Sequence, residues 1–224
     1  MCVNYAPVQQ QMLRDVFGVE PPAGEWRSEA WPDYPAPIIR ATESGDREAV
    51  LGSFSMVPKG KIPPGVRYYP TANARSETIG KLSSFAKHWK AGQLCLIPAL
   101  AFYEPCWETG KAVRWKIGLP DDEPFAIAGL WRPWPDGAIS FTMPTLNADA
   151  HPLMRRFHKP GDEKRGVVLL PRDEWDDWLA CREPEVARTF LRLYPSDAMV
   201  AEPAPAPPRA KKIEVVSLNE GESK

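Results

Sequence analysis

The sequence predicts an α+β fold, with an antiparallel barrel-like or sandwich-like sheet as its core and helices at the periphery. Three observations lead there. Short apolar or alternating runs at residues 49–57, 93–98, 113–117 and 138–143 recur with turn residues between them. Thr109-Gly110 lies between two such runs and reads as a hairpin. The helical patterns do not alternate with strands as a parallel α/β fold requires.

In order, residues 8–17 read as a short helix, with Met12, Leu13, Val16 and Phe17 on one side and Gly18 as its stop. Residues 19–35 are rich in Pro, Glu and Trp and read as an irregular connection. A strand at 37–40, a turn at Ser44-Gly45-Asp46 and a strand at 49–57 follow. Residues 60–70, with Pro63-Pro64-Gly65, form a loop. Ile79, Leu82, Phe85 and Trp89 give residues 77–90 helical spacing. Strands are expected at 93–98, 101–107, 111–119, 124–131, 138–143 and 166–170. Residues 149–158 read as a helix capped by Asp149, with Leu153, Met154 and Phe157 inward. Two amphipathic helices follow at 173–181 and 185–193. The expected organisation is one domain over 1–200 and a Pro-rich, disordered tail over 201–224.

The 224 residues are 43% apolar and 25% charged, ordinary for a globular domain with a sizeable core. No apolar run is long enough to span a membrane, and no secretory signal is visible, so a cytoplasmic protein is expected. Cys2, Cys95, Cys106 and Cys181 are scattered and include no C-x-x-C pair; neither a disulfide framework nor a structural zinc site is expected. The net charge of −1 indicates no polyanion partner by itself. Residues 58–90 differ: Lys59, Lys61, Arg67, Arg75, Lys81, Lys87 and Lys90 stand against Glu77 alone, with Tyr68, Tyr69 and Trp89 among them. Such a stretch can bind single-stranded nucleic acid or can be a solvated surface.

The chemistry begins at Met1-Cys2. A small second residue is the usual context for removal of the initiator methionine. Cys2 would then carry a free α-amine and a thiol on adjacent carbons, with ordinary pKa values of about 8 and 8.5. A 1,2-aminothiol condenses with an aldehyde to an imine, and the thiol closes on the imine carbon to form a thiazolidine. Closure is intramolecular, with effective molarities of about 10⁵–10⁸ M in well-oriented cases. A small buried apolar residue is the alternative reading of Cys2.

Three further segments carry polar groups: Asn73 to Thr78, Phe102 to Pro105 and Phe157 to Pro160. Glu104 lies in an apolar run and is either a buried carboxylate able to exchange protons near neutrality or an edge residue facing water. His158 closes an expected helix, where the dipole favours a cation. Arg75 can clamp a phosphate or pair with Glu77. Asn73 can be a turn residue, and His151 reads as structural.

Met1-Cys2, Asn73-Ala74-Arg75-Ser76-Glu77-Thr78, Phe102-Tyr103-Glu104, Ala128-Gly129-Leu130-Trp131, Phe157-His158 and Pro195-Ser196-Asp197-Ala198-Met199 stand in the order of one family's motifs. In this the chain resembles the SRAP family, the SOS response-associated peptidases or abasic-site processing proteins, across residues 2–200. The resemblance implies crosslinking to abasic sites in single-stranded DNA, with no cofactor and no metal, by a monomer. It implies that Cys2 attacks C1′ of the opened deoxyribose, that Glu104 and His158 shuttle protons, and that Asn73 orients the reacting group. It assigns a phosphate contact to Arg75. Asn4, Trp131, Lys159 and Arg165 are the further candidates for DNA contact.

Three segments depart from the family pattern. Val3-Asn4 stands where Gly-Arg is common, and Phe54 to Pro58 lacks the tryptophan of W-G-L-V-P. The loop behind His158 is longer, with Arg165 as the candidate replacement for a displaced arginine. An associated lyase activity, a thiol peptidase using Cys2 with His158, and a non-covalent single-strand binder are the other readings.

Overall fold

The central strands are apolar on both faces, and covering each face generates the fold. The computed structural model describes residues 2–205. Its strands are β1 (Tyr5–Pro7), β2 (Pro35–Ala41), β3 (Arg47–Phe54), β4 (Asn73–Arg75), β5 (Leu94–Cys106), β6 (Val113–Gly118), β7 (Phe125–Pro133), β8 (Ile139–Asn147), β9 (Arg165–Val167), β10 (Leu169–Leu170) and β11 (Val200–Pro203). The helices are α1 (Gln10–Asp15), α2 (Ala86–Lys90), α3 (Trp175–Ala180) and α4 (Pro184–Phe190). Among the described residues no helix is long and apolar enough to cross a membrane.

All eleven strands join one sheet, with the main path β10-β7-β8-β3-β2-β5-β6-β11. The path turns back on itself where β5 also pairs with β7. The contact of β2 with β5 is a single residue pair, Ile39 with Leu96, so the sheet is sandwich-like rather than a closed barrel. The ladders are antiparallel except where β3 and β4 run parallel to β8. Alternation sorts the core into two layers. Ile38, Cys95, Ile97, Ala99 and Ile127 face an inner layer with Phe54, Phe102, Phe141 and Cys2. Ile39, Leu94, Leu96, Ala126 and Ala128 face an outer layer covered by Phe17, Trp89, Trp175 and Trp178 from the helical side. Phe17 stacks on Trp175 at 4.7 Å, and the Trp178 indole donates to the Cys95 carbonyl at 2.9 Å, fixing α3 to β5.

Several expectations are corrected. The runs at 93–98 and 101–107 are one strand, β5, because its ladder shifts without breaking from β7 near Pro98 to β6 from Phe102. The helix expected over 77–90 is helical only in α2; residues 77–85 are successive turns such as Lys81 N–H to the Thr78 carbonyl. Gly80 and Ser83-Ser84 disfavour helix, and an ion pair holds Glu77 outward. Residues 149–158 contain only a 3₁₀ turn, Met154–Arg156. Asp149 does not cap a helix; its carboxylate accepts from Lys164 N–H at 2.9 Å and from the Asn147 amide at 2.8 Å, closing the loop instead. β1 and β4 form where no element was expected. β11 pairs with β6 through Pro203, past the expected tail boundary at 200. The remainder of that tail, from 206, lies outside the described residues.

Gly129 on β7 faces the back of β5. A Cβ there would meet the Cys95 Sγ at 2.5 Å and two Ile97 carbons at 2.9 Å. Gly129→Ala is therefore expected to lower stability by about 1–3 kcal/mol through overpacking, read as a fall in the urea midpoint at unchanged slope.

Candidate active site

The start of the chain is stitched into the sheet. β1 runs antiparallel to β5, with Tyr5 opposite Phe102, and the Tyr103 N–H donates to the Asn4 carbonyl at 2.9 Å. That register brings Cys2 alongside Glu104. From the other side, β4 lies parallel to β8 and delivers Asn73, whose amide donates to the Cys2 carbonyl at 2.8 Å. Cys2 is 1% exposed, and its thiol lies 3.5 Å from the Asn4 carbonyl. Burial, then the Glu104 carboxylate, push the thiol well above its ordinary pKa.

Glu104 is 3% exposed, on the strand itself and not at a wet edge. Its Oε2 lies 2.9 Å from His158 Nε2. His158 arrives by a different route from the expected helix end. Phe157 bridges to Cys106, and the His158 N–H donates to the Pro105 carbonyl at 2.8 Å. The chain then turns at His158 with φ of +66°, a left-handed conformation uncommon outside glycine. Strain held at one residue by its surroundings is a feature of functional sites. Cys2, Asn73, Glu104 and His158 therefore share one place, on four separate segments.

The other candidates divide. Arg75 does not pair with Glu77; its guanidinium lies 2.6 Å from Glu163 and is half exposed. Glu77 pairs with Arg165 instead. Arg165 is 3% exposed and is held by Glu77, Glu163 and the Thr145 carbonyl, so it braces the fold rather than facing outward. Asn4 is buried as well: its amide donates to Glu29 and the Ala30 carbonyl, and its oxygen accepts from Arg114 at 2.7 Å. Arg165 and Asn4 are thus both buried and engaged by protein partners. Trp131 lies by Gln93, at the opposite end of β5 from Glu104, with the Arg40 guanidinium 4.4 Å over its ring. Lys159 is exposed beside His158, and its carbonyl accepts from the Lys164 ammonium at 2.7 Å. His151 is structural, bonded to the Tyr194 carbonyl and to Met154 N–H.

Two groups were not foreseen. Glu163 bridges Arg75, Arg165 and Asn147. Arg114 reaches from β6 to Asn4 and Glu29 and lies 3.5 Å over the Tyr103 ring. Its place among alternating strand residues put it on the outer side of β6, but no local pattern points to a partner more than a hundred residues away.

With this geometry in place, the comparisons are specific. A family model described as SOS response associated peptidase (SRAP) matches residues 1–206. The chain belongs to the SRAP family. A solved structure of a protein from Bordetella bronchiseptica is 38% identical, with a TM-score of 0.81 over 92% of this chain and 100% of the other. A protein from Bacteroides thetaiotaomicron is 18% identical with a TM-score of 0.70, over 90% and 91% of the two chains. A phage-related protein of Bordetella bronchiseptica is 18% identical with a TM-score of 0.64, over 91% and 94%. The last two show a shared fold. None of the curated proteins compared matches the chain. The family's printed description links it to the SOS response, and so to DNA damage.

Arg165 and Arg75 hold the Glu163 carboxyl down to about 2, from an ordinary 4.5. A depressed folded pKa stabilises above the unfolded value and is lost as pH falls through the folded one. The stability advantage of the natural protein over Glu163→Gln should therefore be constant above about pH 5 and shrink between 4.5 and 2, measured as urea midpoints across pH.

Proposed function

We propose that the chain, once Met1 is removed, is a sensor of abasic sites in single-stranded DNA that crosslinks to the lesion through Cys2. The observation that carries this reading is the double hold on Cys2, its carbonyl bonded to Asn73 and its thiol set beside the Glu104–His158 pair. Removal of Met1 turns the amide nitrogen of Cys2 into a free amine, while the carbonyl that Asn73 holds belongs to Cys2 itself.

The steps balance with the groups present. An abasic deoxyribose is largely a closed hemiacetal. Glu104 and His158 move a proton onto the ring oxygen as the ring opens to the aldehyde. The Cys2 amine adds to C1′, and loss of one water gives the imine. The thiol then bonds to the imine carbon, and its proton passes to the nitrogen, closing the thiazolidine. The second step needs no outside proton, because the one lost from sulfur is the one gained by nitrogen. An imine left open also acidifies the C2′ proton, and elimination of the 3′ phosphate would nick the strand. Ring closure competes with that lyase branch. Arg75 and Lys159 are the exposed cations beside the site for the strand's phosphates.

The family description contains the word peptidase, and Cys2 with His158 is the pair such a reaction would use. Two observations weigh against that reading. A thiol protease needs a depressed thiol pKa, and here burial raises it. His158 Nε2 is engaged with Glu104. A plain single-strand binder would be indifferent to Cys2.

The test is a denaturing gel with intact mass of the protein and an oligonucleotide bearing one abasic site. A heat-stable adduct is expected on a chain lacking Met1, with the mass of both reactants less one water. Cys2→Ala should leave only imine, trapped by borohydride, and more nicking; a heat-stable adduct in that variant would refute thiazolidine closure. Glu104→Gln and His158→Ala should each slow adduct formation by about 10²–10⁴-fold. Asn73→Ala, which frees the Cys2 backbone, should slow it by about 10²-fold at an unchanged thermal midpoint.

A further inference from the structure

A cleft of about 250 Å³ opens beside Glu104. Its walls include Val3, Asn4, Trp31, Tyr103, Pro105 and Arg114. Trp31 and Val3 are large apolar side chains left 41% and 42% exposed at its rim. The Trp31 backbone is nonetheless held. Ala30 exchanges both backbone hydrogen bonds with Tyr5, at 3.2 and 2.8 Å, and the Trp31 carbonyl accepts from Tyr34 at 2.9 Å. An indole is thus presented to solvent from fixed backbone, next to the acid–base pair.

The charge of the cleft narrows what it can hold. Arg114 is its one cation, and that charge is answered by Glu29 at 2.7 Å while the guanidinium lies over Tyr103. That guanidinium is also mostly buried, which leaves a phosphate little to gain from it. A flat, neutral ring gains the aromatic face and loses no hydration of charge. A second hollow, at His158, differs. There His158 borders a groove of about 580 Å³ with Arg155, Arg156 and Lys164, against Glu108. One pair of side chains thus borders an aromatic, charge-balanced cleft through Glu104 and a basic groove through His158.

An abasic nucleotide has no base to bind, but its neighbour does. We infer that the cleft is a stacking subsite for the unpaired nucleobase adjoining the abasic nucleotide, with Trp31 as its platform and the phosphates of the other flank in the Arg155–Lys164 groove. The inference takes its occupant from the crosslinking reading and adds which flank is read through its base.

Oligonucleotides with tetrahydrofuran as the lesion separate binding from chemistry, because this analogue has no aldehyde. Three strands are compared at equilibrium: natural bases on both flanks, a second tetrahydrofuran on the 5′ side, and a second on the 3′ side. The natural protein should lose roughly tenfold in affinity for one doubly substituted strand and little for the other. Trp31→Ala should bind all three alike, at an unchanged thermal midpoint, and Trp31→Phe should recover part of the discrimination. Equal losses on both sides, or discrimination that persists in Trp31→Ala, would overturn the subsite. Flank discrimination without any adduct on a true abasic strand would remove the crosslinking reading and leave the subsite standing. Adduct formation without discrimination would do the reverse.

Discussion

Everything at the site depends on holding the second residue of the chain as firmly as a core residue. Chain ends usually fray, because little ties them down. Here β1 adds to β5, and the Asn73 amide clasps the Cys2 carbonyl from β4. β4 in turn is set by its parallel pairing with β8, the strand that also pairs with β3, β7 and β9. The position of Cys2 is therefore a property of the sheet. For the proposed crosslinking, whose rate rests on proximity, that is the physical requirement.

A second layer of order comes from charge. Arg165 is nearly buried, and a buried guanidinium is tolerable only when paired and hydrogen-bonded. Glu77 and Glu163 supply the pairing, and the Thr145 carbonyl takes a further donor. Through Glu163 this assembly reaches Arg75, and through Lys164 the same loop ties the carbonyls of His158 and Lys159. The lengthened segment behind His158 is thus braced at both ends. Asn4 has a comparable role on the opposite flank, where it joins Glu29 to Arg114. Where the family commonly has an arginine at that position, this chain brings a guanidinium to the same neighbourhood from β6, already neutralised.

The family motifs named Cys2, Asn73, Glu104 and His158, which the fold brings together, and the apolar runs marked most strands. What failed did so for physical reasons. Local periodicity suggested helices at 77–90 and 149–158, but the polar groups there are drawn into distant contacts: Glu77 to Arg165, Asp149 to Lys164. Three-residue strands such as β1 and β4 have too few side chains to show alternation and exist only because a long strand offers them a partner. The break expected in β5 at Pro98 is absent, since the strand changes partners without stopping. Asn4 and Arg165 are buried by partners far along the chain, which no local pattern shows.

By itself the sequence determined the class of fold, the apolar content of each central strand, and an aminothiol latent at Cys2, because these follow from residue type and short-range spacing. Only the tertiary structure decided that Glu104 meets His158, that Asn73 meets Cys2, and that Arg75 faces Glu163 rather than Glu77. Those choices join segments tens of residues apart, and they are made by sheet register and by the cost of leaving a buried charge or hydrogen-bonding group unpaired.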